Sequence, residues 1–172
     1  MGAHPYWYFA KYQTNISTTL DELRQREFEA GRYHPIISFL DFPITTDSPA
    51  PGAQHSSIEE AMEAAAEDGT RSILDMFQIS DMPYSEAFDN SEQDGMDLFC
   101  MTFPLSLDEL TQLFGTDKPS HDVVNAVLVS SQQNENAGDE FWESIDRGTG
   151  RHILIYEKDE PVEIFFVGYS FD

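Results

Sequence analysis

Residues 151–171 read RHILIYE, KDE and PVEIFFVGYSF, the pattern of two strands joined by a turn at Lys158–Glu160. Both strands carry apolar side chains at consecutive positions, at 153–155 and at 164–167. Consecutive apolar residues point to both sides of a sheet, so both sides must be covered. The stretch therefore predicts a C-terminal β-hairpin in the middle of a sheet, sandwiched by helices or by a second layer.

The rest of the sequence predicts further strands and several helices. Strands are predicted at residues 5–12, 36–42, 71–79 and 98–103. Helices are predicted from Asn15 or Ser17 to Gly31, from Ser56 or Ser57 to Asp68–Gly69, from Ser106 to Gly115, and around Phe141, Trp142 and Ile145. Residues 122–129 permit either structure, because so short a run of valines has no decisive period.

These elements predict one domain of the α+β class over residues 1–172. We expect a mixed, mostly antiparallel sheet with the C-terminal hairpin and three or four helices packed on it, and a mixed α/β sandwich is the alternative. Proline, glycine, serine and acidic residues predict loops at 43–55, 80–97 and 130–139.

Charge is distributed unevenly along the chain. There are 32 acidic and 9 basic residues, a net charge of -23, yet residues 1–40 hold four of each kind. The whole excess lies in residues 41–172, and residues 72–117 contain no lysine or arginine. An acidic surface repels nucleic acid and anionic membranes and attracts basic partners or cations. We therefore expect a basic protein as partner and no binding of nucleic acid.

The N-terminal residues lack the basic region and the uninterrupted apolar run of a signal peptide, and no stretch has the length of a membrane span. The single cysteine, Cys100, cannot form an internal disulfide, and its apolar neighbours indicate a buried thiol. A cytoplasmic protein without membrane contact is the expectation.

An acidic tract at residues 81–97 is the strongest candidate for a partner-binding surface. Its candidate residues are Asp81, Glu86, Asp89, Glu92, Asp94 and Asp97. Within it, residues 89–97 resemble a calcium loop only in part: with Gly95 as the turn glycine, position 12 is Met101, where a bidentate glutamate is required. A solvated acidic surface is the simpler interpretation, so no metal site is predicted.

A second candidate region is the rigid loop before the second helix. His55, Ser56 and Ser57 lie at a helix start, where free amides and the helix dipole favour an anion. Glutamates on the first turns and a capping box compete for the same position. Arg71 is the only base among the fourteen acids of residues 57–109; it can clamp an anionic ligand or pair with nearby carboxylates. These four residues form the ligand-site prediction.

The sequence shows no motif of a zinc site, a nucleophile elbow or a dinucleotide-binding loop. The five histidines show no spacing typical of a zinc site, and no G-x-S-x-G sequence indicates a nucleophile elbow. Gly148-Thr149-Gly150 precedes a strand instead of following one, so it is not a dinucleotide loop. We expect no cofactor, and the catalytic residues, if the protein is an enzyme, are unknown.

Three functions are compatible with these observations. The first is a binding or regulatory protein that docks a basic partner through its acidic surface. The second is a small-molecule enzyme with a site near His55, Ser57 and Arg71. The third is a salt-adapted cytosolic domain, since only three lysines accompany the 32 acids. Under all three, repulsion among carboxylates predicts that modest acid or added salt stabilises the fold. The long apolar last strand also favours a homodimer.

Overall fold

The computed structural model describes residues 3–92, 94–130 and 135–171. Within these residues one sheet of six strands runs in the order β2-β1-β6-β5-β4-β3. The strands are β1 (Pro5–Lys11), β2 (Ile44–Thr45), β3 (Gln78–Ile79), β4 (Met101–Pro104), β5 (Thr149–Glu157) and β6 (Glu160–Tyr169). The α+β class, the single domain and the C-terminal hairpin are confirmed.

The sheet is mixed. β6 pairs antiparallel with β1 and with β5, and these ladders are the longest in the sheet. The outer pairs β1–β2, β4–β5 and β3–β4 are parallel and shorter. The hairpin turn places Lys158 and Asp159 at φ 51° and 63°, the left-handed backbone that matches the twist of paired strands.

The described residues contain six α-helices, where the sequence predicted three or four. They are α1 (Ile16–Ala30), α2 (Ile58–Ala65), α3 (Tyr84–Asp89), α4 (Leu107–Phe114), α5 (His121–Val124) and α6 (Glu135–Glu143). A π-helical turn at Asn125–Val129 continues α5, so the ambiguous segment 122–129 is helical.

The predicted helix ends are confirmed where side chains cap them. Asn15 Oδ1 accepts a hydrogen bond from the Ser17 backbone at 3.0 Å, and Gly31 ends α1 at φ 75°. At α4, Ser106 and Glu109 form both bonds of a capping box. Local hydrogen bonds therefore determine where these helices begin or end.

Both faces of the sheet are covered, as the hairpin pattern predicted. Successive residues of β1 and β6 alternate between two clusters. One cluster contains Tyr6, Tyr8 and Phe166 and packs against α1; the other contains Phe165 and Val167 and packs against the α5 and α6 region. Two apolar layers on one sheet explain why the hairpin strands are apolar at consecutive positions.

The strand predicted at residues 36–42 is wrong. The backbone N–H groups of Ile36 and Ile37 both donate to the Tyr33 carbonyl, and Phe39–Asp41 form a 3-10 turn. The donors needed for a ladder are used inside a turn, and Pro35 and Pro43 on either side have no N–H to donate. The strand of this region is the two-residue β2, just beyond Pro43.

The strand predicted at residues 71–79 is also wrong for most of its length. Ser72 caps a 3-10 turn at Ile73–Asp75 by accepting a hydrogen bond from the Leu74 backbone. Only Gln78–Ile79 pair with the sheet, as β3. Here a local bond from a serine side chain competes successfully with the β pattern.

Two of the predicted loops contain helices. The segment 80–97 holds α3 and the start of a 3-10 turn at Met96–Leu98, because Ala87 and Leu98 pack on Phe103 and give this acidic stretch an apolar anchor. In the segment 130–139, α6 begins at Glu135, and residues 131–134 lie outside the described part of the chain. The segment 43–55 is irregular apart from β2.

The expected self-association through the last strand loses its basis. β6 is hydrogen-bonded on both sides, to β1 and to β5, so it exposes no unpaired edge. The edge strands are β2 and β3, each two residues long, and edges this short offer few free backbone groups to a second copy. Among the described residues, no helix has the length and apolarity needed to cross a membrane.

Candidate functional site

The acidic segment, residues 81–97, lies on the surface beside the β3–β4 edge of the sheet. All six of its predicted partner-binding residues are exposed: Asp81, Glu86, Asp89, Glu92, Asp94 and Asp97. Apolar side chains anchor the segment to Phe103 of β4. Ala87 and Leu98 are buried against Phe103, and the ring of Tyr84 meets that of Phe103 edge to face at 5.1 Å.

The acidic segment also folds back on itself. The Phe88 ring lies only 2.9 Å from where a Cβ on Gly95 would stand, and Gly95 has φ 85°, so glycine is required there. The Gly95 N–H donates to Ser91 Oγ at 2.9 Å, and the Ser91 hydroxyl donates to the Asp97 carboxylate. The carboxylates of residues 86–97 are therefore held on one compact substructure.

Large apolar side chains are exposed between these carboxylates. Met82 is 37%, Phe88 44% and Met96 65% exposed. No lysine, arginine or histidine occurs in residues 72–117 to neutralise the acids from within the segment. Exposed methionine and aromatic groups are typical of surfaces that bind other proteins. The acidic segment thus combines negative charge with apolar contact area.

The predicted ligand residues before α2 have structural partners. His55 Nδ1 and the Tyr33 hydroxyl are 2.8 Å apart. Ser57 Oγ caps α2 by accepting from the Glu60 backbone at 3.1 Å. The hydroxyl and the backbone N–H of Ser56 both donate to the Glu60 carboxylate, and these bonds lower the Glu60 pKa. Glu60 therefore already occupies the position that an anion would take.

Arg71 lies against other neighbours. Its guanidinium is 3.9 Å from Asp68 Oδ2 and lies over the Phe42 ring at 5.5 Å. The ion pair expected from the sequence is present, and Arg71 adopts a left-handed backbone with φ 54°. Because Asp68 holds Arg71 and Tyr33 holds His55, the geometry gives the ligand site of His55, Ser56, Ser57 and Arg71 no support, and it stays a prediction.

Metal ligands and reactive thiols are not concentrated at either candidate region. In the part of the chain that the structure describes, no group of three or more histidine, cysteine, aspartate or glutamate side chains is placed to hold a metal ion. Burial raises the pKa of the Cys100 thiol to about 11, with the Asp75 charge adding to the shift. The thiol is therefore protonated near neutral pH, which is unfavourable for a nucleophile.

A cavity of about 300 Å³ lies between α3, α4, α6 and β5, on the sheet face that carries α6. Its lining residues are Tyr84, Ser85, Leu105, Glu109, Gln112, Leu113, Ala137, Glu140, Phe141, Ser144 and Arg151. The volume is at the lower end of the range of small-molecule sites. Arg151 is the one basic side chain in this lining.

Arg151 is buried, with only 5% of its surface exposed. Its guanidinium donates to the carbonyls of Gly150 at 3.0 Å and Ser144 at 3.1 Å, and more weakly to Thr149 Oγ1 at 3.5 Å. Within the described residues, no carboxylate oxygen forms an ion pair with it at 4.0 Å or less. Burial lowers the pKa of Arg151 to about 10, so the side chain remains charged at pH 7.

Two aromatic rings contact the Arg151 guanidinium through cation–π interactions. The Arg151 guanidinium lies 4.2 Å from the centre of the Tyr84 ring and 5.6 Å from that of Phe103. The Tyr84 hydroxyl donates to the Asp146 carboxylate, and burial together with this bond raises the Tyr84 pKa to about 12. The Tyr84 side chain is therefore held by Asp146 at its hydroxyl, and its ring packs on the Arg151 guanidinium at the cavity wall.

The next residue, His152, is buried on the opposite face of the sheet. Its Nδ1 is 3.2 Å from Thr102 Oγ1, and its ring faces that of Phe166. Burial lowers the pKa of His152 to about 4, and the nearby positive charge of Arg151 acts in the same direction. His152 is consequently neutral at pH 7, and it lines a second cavity of about 240 Å³.

Sequence reasoning identified Arg151 only as the first residue of the hairpin. The available signal was its position: Arg151 precedes the apolar run Ile153–Ile155 in a chain with only nine basic residues. A charged residue at a strand position that faces a helical layer must be paired or must line a site. The comparisons add no assignment, because no protein-family model, curated protein or solved structure matches this chain.

Proposed function

We propose that this protein is a binding or regulatory protein that docks a basic partner through the acidic segment. One observation supports the proposal: six exposed carboxylates and three exposed large apolar side chains occupy residues 81–97, with no base within the segment. Complementary charge accelerates association and selects the partner, and buried apolar area supplies affinity.

The partner's chemistry follows from this mixture. A purely electrostatic surface would expose carboxylates alone, whereas Met82, Phe88 and Met96 need apolar groups opposite them. The expected partner is a basic protein that presents lysine or arginine beside apolar side chains, for example on an amphipathic helix. Nucleic acid is disfavoured, because its phosphates repel the same carboxylates. The cytoplasmic location expected from the sequence would provide such partners, and it stays a prediction.

The test uses a variant in which all six acids of the segment are replaced by their amides. Its matched control carries six exposed acids neutralised elsewhere, at Glu63, Glu67, Asp117, Asp122, Glu157 and Glu160. Both variants change the net charge equally. The probe is a synthetic amphipathic helix with lysines on one face and leucines on the other, together with a peptide of equal charge in which glutamine replaces leucine.

Calorimetric titration at low salt and at a few hundred millimolar salt gives the outcome. We expect the leucine peptide to bind the wild type, the control variant to bind within about twofold, and the segment variant to bind at least about tenfold more weakly. Equal losses in both variants, or equal binding of both peptides, would refute a specific docking surface. Lack of binding by the leucine peptide at low salt would refute the proposal as a whole.

A further inference from the structure

The cavity next to Arg151 borders the acidic segment through Tyr84 and Ser85, and it has features of a ligand site that the docking proposal does not use. A guanidinium that is only 5% exposed carries a desolvated positive charge. Its hydrogen bonds go to the carbonyls of Gly150 and Ser144 and to the Thr149 hydroxyl. The charges of Glu109 and Asp146 act on Arg151 from a distance, but no carboxylate of the described residues pairs with it directly, and a bound anion would supply that direct pair.

The guanidinium has donors left for such an anion. The hydrogen bonds to the described residues use both N–H groups of Nη1 and one of Nη2. The Nε N–H and the second Nη2 N–H are without a protein partner in that part of the chain. A guanidinium can present its Nε N–H and an adjacent Nη N–H side by side to the two oxygens of a carboxylate.

The remaining lining limits the charge and shape of the ligand. Leu105, Leu113 and Phe141 provide an apolar wall, which favours a ligand with a hydrocarbon or aromatic group. Glu109 and Glu140 are exposed members of the lining. Their negative charges repel a dianion such as inorganic phosphate about twice as strongly as a monoanion, because the repulsion scales with the charge of the ligand. A single negative charge next to an apolar group is the best match.

We propose that this cavity binds a small amphipathic carboxylate, with its carboxylate on Arg151 and its apolar group between Leu105, Leu113 and Phe141. The carboxylate accepts from the two free donors of the guanidinium, while Tyr84 keeps the guanidinium flat against the wall at 4.2 Å. The cavity, at about 300 Å³, accommodates a ligand of roughly ten non-hydrogen atoms.

Two kinds of compound carry this chemistry: simple carboxylic acids and free α-amino acids. The amino acids add an ammonium group, which Glu109 or Glu140 would attract. 3-Phenylpropionate and L-phenylalanine differ by this ammonium alone and serve as the two probes. Inorganic phosphate and benzyl alcohol serve as controls, since the first lacks an apolar group and the second lacks a charge.

Ligand-observed NMR and calorimetric titration measure binding to the wild type and three variants. We expect Arg151→Met to weaken the carboxylate probes by about tenfold or more, because a charge-assisted bidentate contact is lost. Arg147→Met, which changes an exposed arginine outside the lining, should leave binding unchanged. Ala137→Leu fills the cavity while keeping Arg151, so it should also abolish binding. Circular dichroism verifies that each variant is folded.

Several results would overturn the inference. Absence of binding by both carboxylate probes to the folded wild type would show that the cavity is not such a site. Unchanged binding in Arg151→Met or in Ala137→Leu would place the ligand elsewhere. Stronger binding of phosphate than of 3-phenylpropionate would reject the carboxylate class. Preference for L-phenylalanine over 3-phenylpropionate would support the inference and assign the ligand to the amino acids.

Discussion

Glu27 on α1 and Arg151 on β5 are both buried charges, but their surroundings differ. Glu27 has no exposed surface, and its carboxylate accepts from Arg32 at 3.0 and 3.1 Å and from Arg26 at 3.0 Å. Arg151 is 5% exposed and is held by carbonyls, a hydroxyl and aromatic rings. Glu27 has two direct ion pairs, whereas Arg151 has none among the described residues.

This difference separates a structural charge from a candidate functional one. A buried carboxylate with two arginines needs nothing more, and it holds the end of α1 to the segment that follows Gly31. The Arg151 guanidinium has no direct ion pair among the described residues, so its desolvation is offset only by carbonyls, aromatic rings and the more distant charges of Glu109 and Asp146. The charge-balanced residues 1–40 thus include both arginines that pair with Glu27, whereas Arg151 has no ion pair among the described residues despite the acidic excess of residues 41–172.

The largest loss of stability is expected when Glu27 loses a close ion-pair partner and thereby becomes, like Arg151, a buried charge with incomplete pairing. Arg32→Met removes the more buried partner and leaves the Glu27 carboxylate poorly compensated in the core. We expect a loss of about 3 kcal/mol in the free energy of unfolding, measured by urea denaturation. Arg26→Met, which removes a half-exposed partner, should cost less than about 1 kcal/mol.

A double variant tests the cause of that loss. Glu27→Met combined with Arg32→Met removes the orphaned carboxylate together with its partner, so most of the lost stability should return. If the double variant is as unstable as Arg32→Met alone, the packing of Arg32 or its bond to the Ser48 carbonyl, and not the charge of Glu27, holds this region together.

An effect of similar size is expected for His152, the neighbour of Arg151. His152 has a folded-state pKa of about 4, below its ordinary value of 6.5, so the folded state holds this side chain neutral. The stability that depends on the neutral form is present above pH 6.5 and is lost as the pH falls toward 4. The loss amounts to about 3 kcal/mol over this window, one of the steeper acid responses a single group can produce.

His152→Gln isolates this contribution from the titration of the many carboxylates. The difference in unfolding free energy between wild type and variant, measured by urea denaturation from pH 7.5 to 4, should change in favour of the variant as the pH falls. A difference that does not vary with pH would mean that His152 titrates normally. The crowding of carboxylates acts in the opposite direction, so the wild-type profile alone cannot separate the two effects.

The smallest effect is expected for Arg151→Met in the absence of ligand. Methionine retains much of the volume and removes a desolvated charge, and it leaves two carbonyls and no carboxylate without a partner. We expect the unfolding free energy to change by less than about 1 kcal/mol in urea denaturation. A loss of unfolding free energy as large as that of Arg32→Met would show that Arg151 is a structural residue, as Glu27 is.

The sequence predicted the parts of the fold that local chemistry determines. The hairpin with its two-sided apolar strands, the Asn15 and Gly31 ends of α1 and the Ser106 capping box all depend on neighbours within a few residues. The errors at 36–42 and 71–79 also have local causes, but those causes are turns made by a carbonyl or a serine side chain that leave the β pattern intact. Composition and hydrophobic period do not show whether a turn or a strand will take up the backbone hydrogen-bonding groups.

The sites divide in the same way. Exposure of the acidic segment follows from its charge and was predicted, whereas the anchoring of α3 through Ala87 and Leu98 was not. Arg151 requires knowledge of which helices cover its face of β5 and which carboxylates they bring. The packing of these helices on β5 depends on contacts between residues as distant in sequence as Tyr84 and Arg151, and the pattern of a single sequence does not reveal such contacts.

The central position of β6 determines when the sheet can form during synthesis. β1 finds its antiparallel neighbour only in β6, through the pairs from Pro5–Tyr169 to Lys11–Glu163, and β6 is made after all the other strands. Until then the nascent chain carries a strand rich in tyrosine, tryptophan and phenylalanine that has no long partner, a state prone to aggregation. Closing so distant a ladder is also slow. During synthesis, β1 therefore stays without its long antiparallel partner until β6 has emerged.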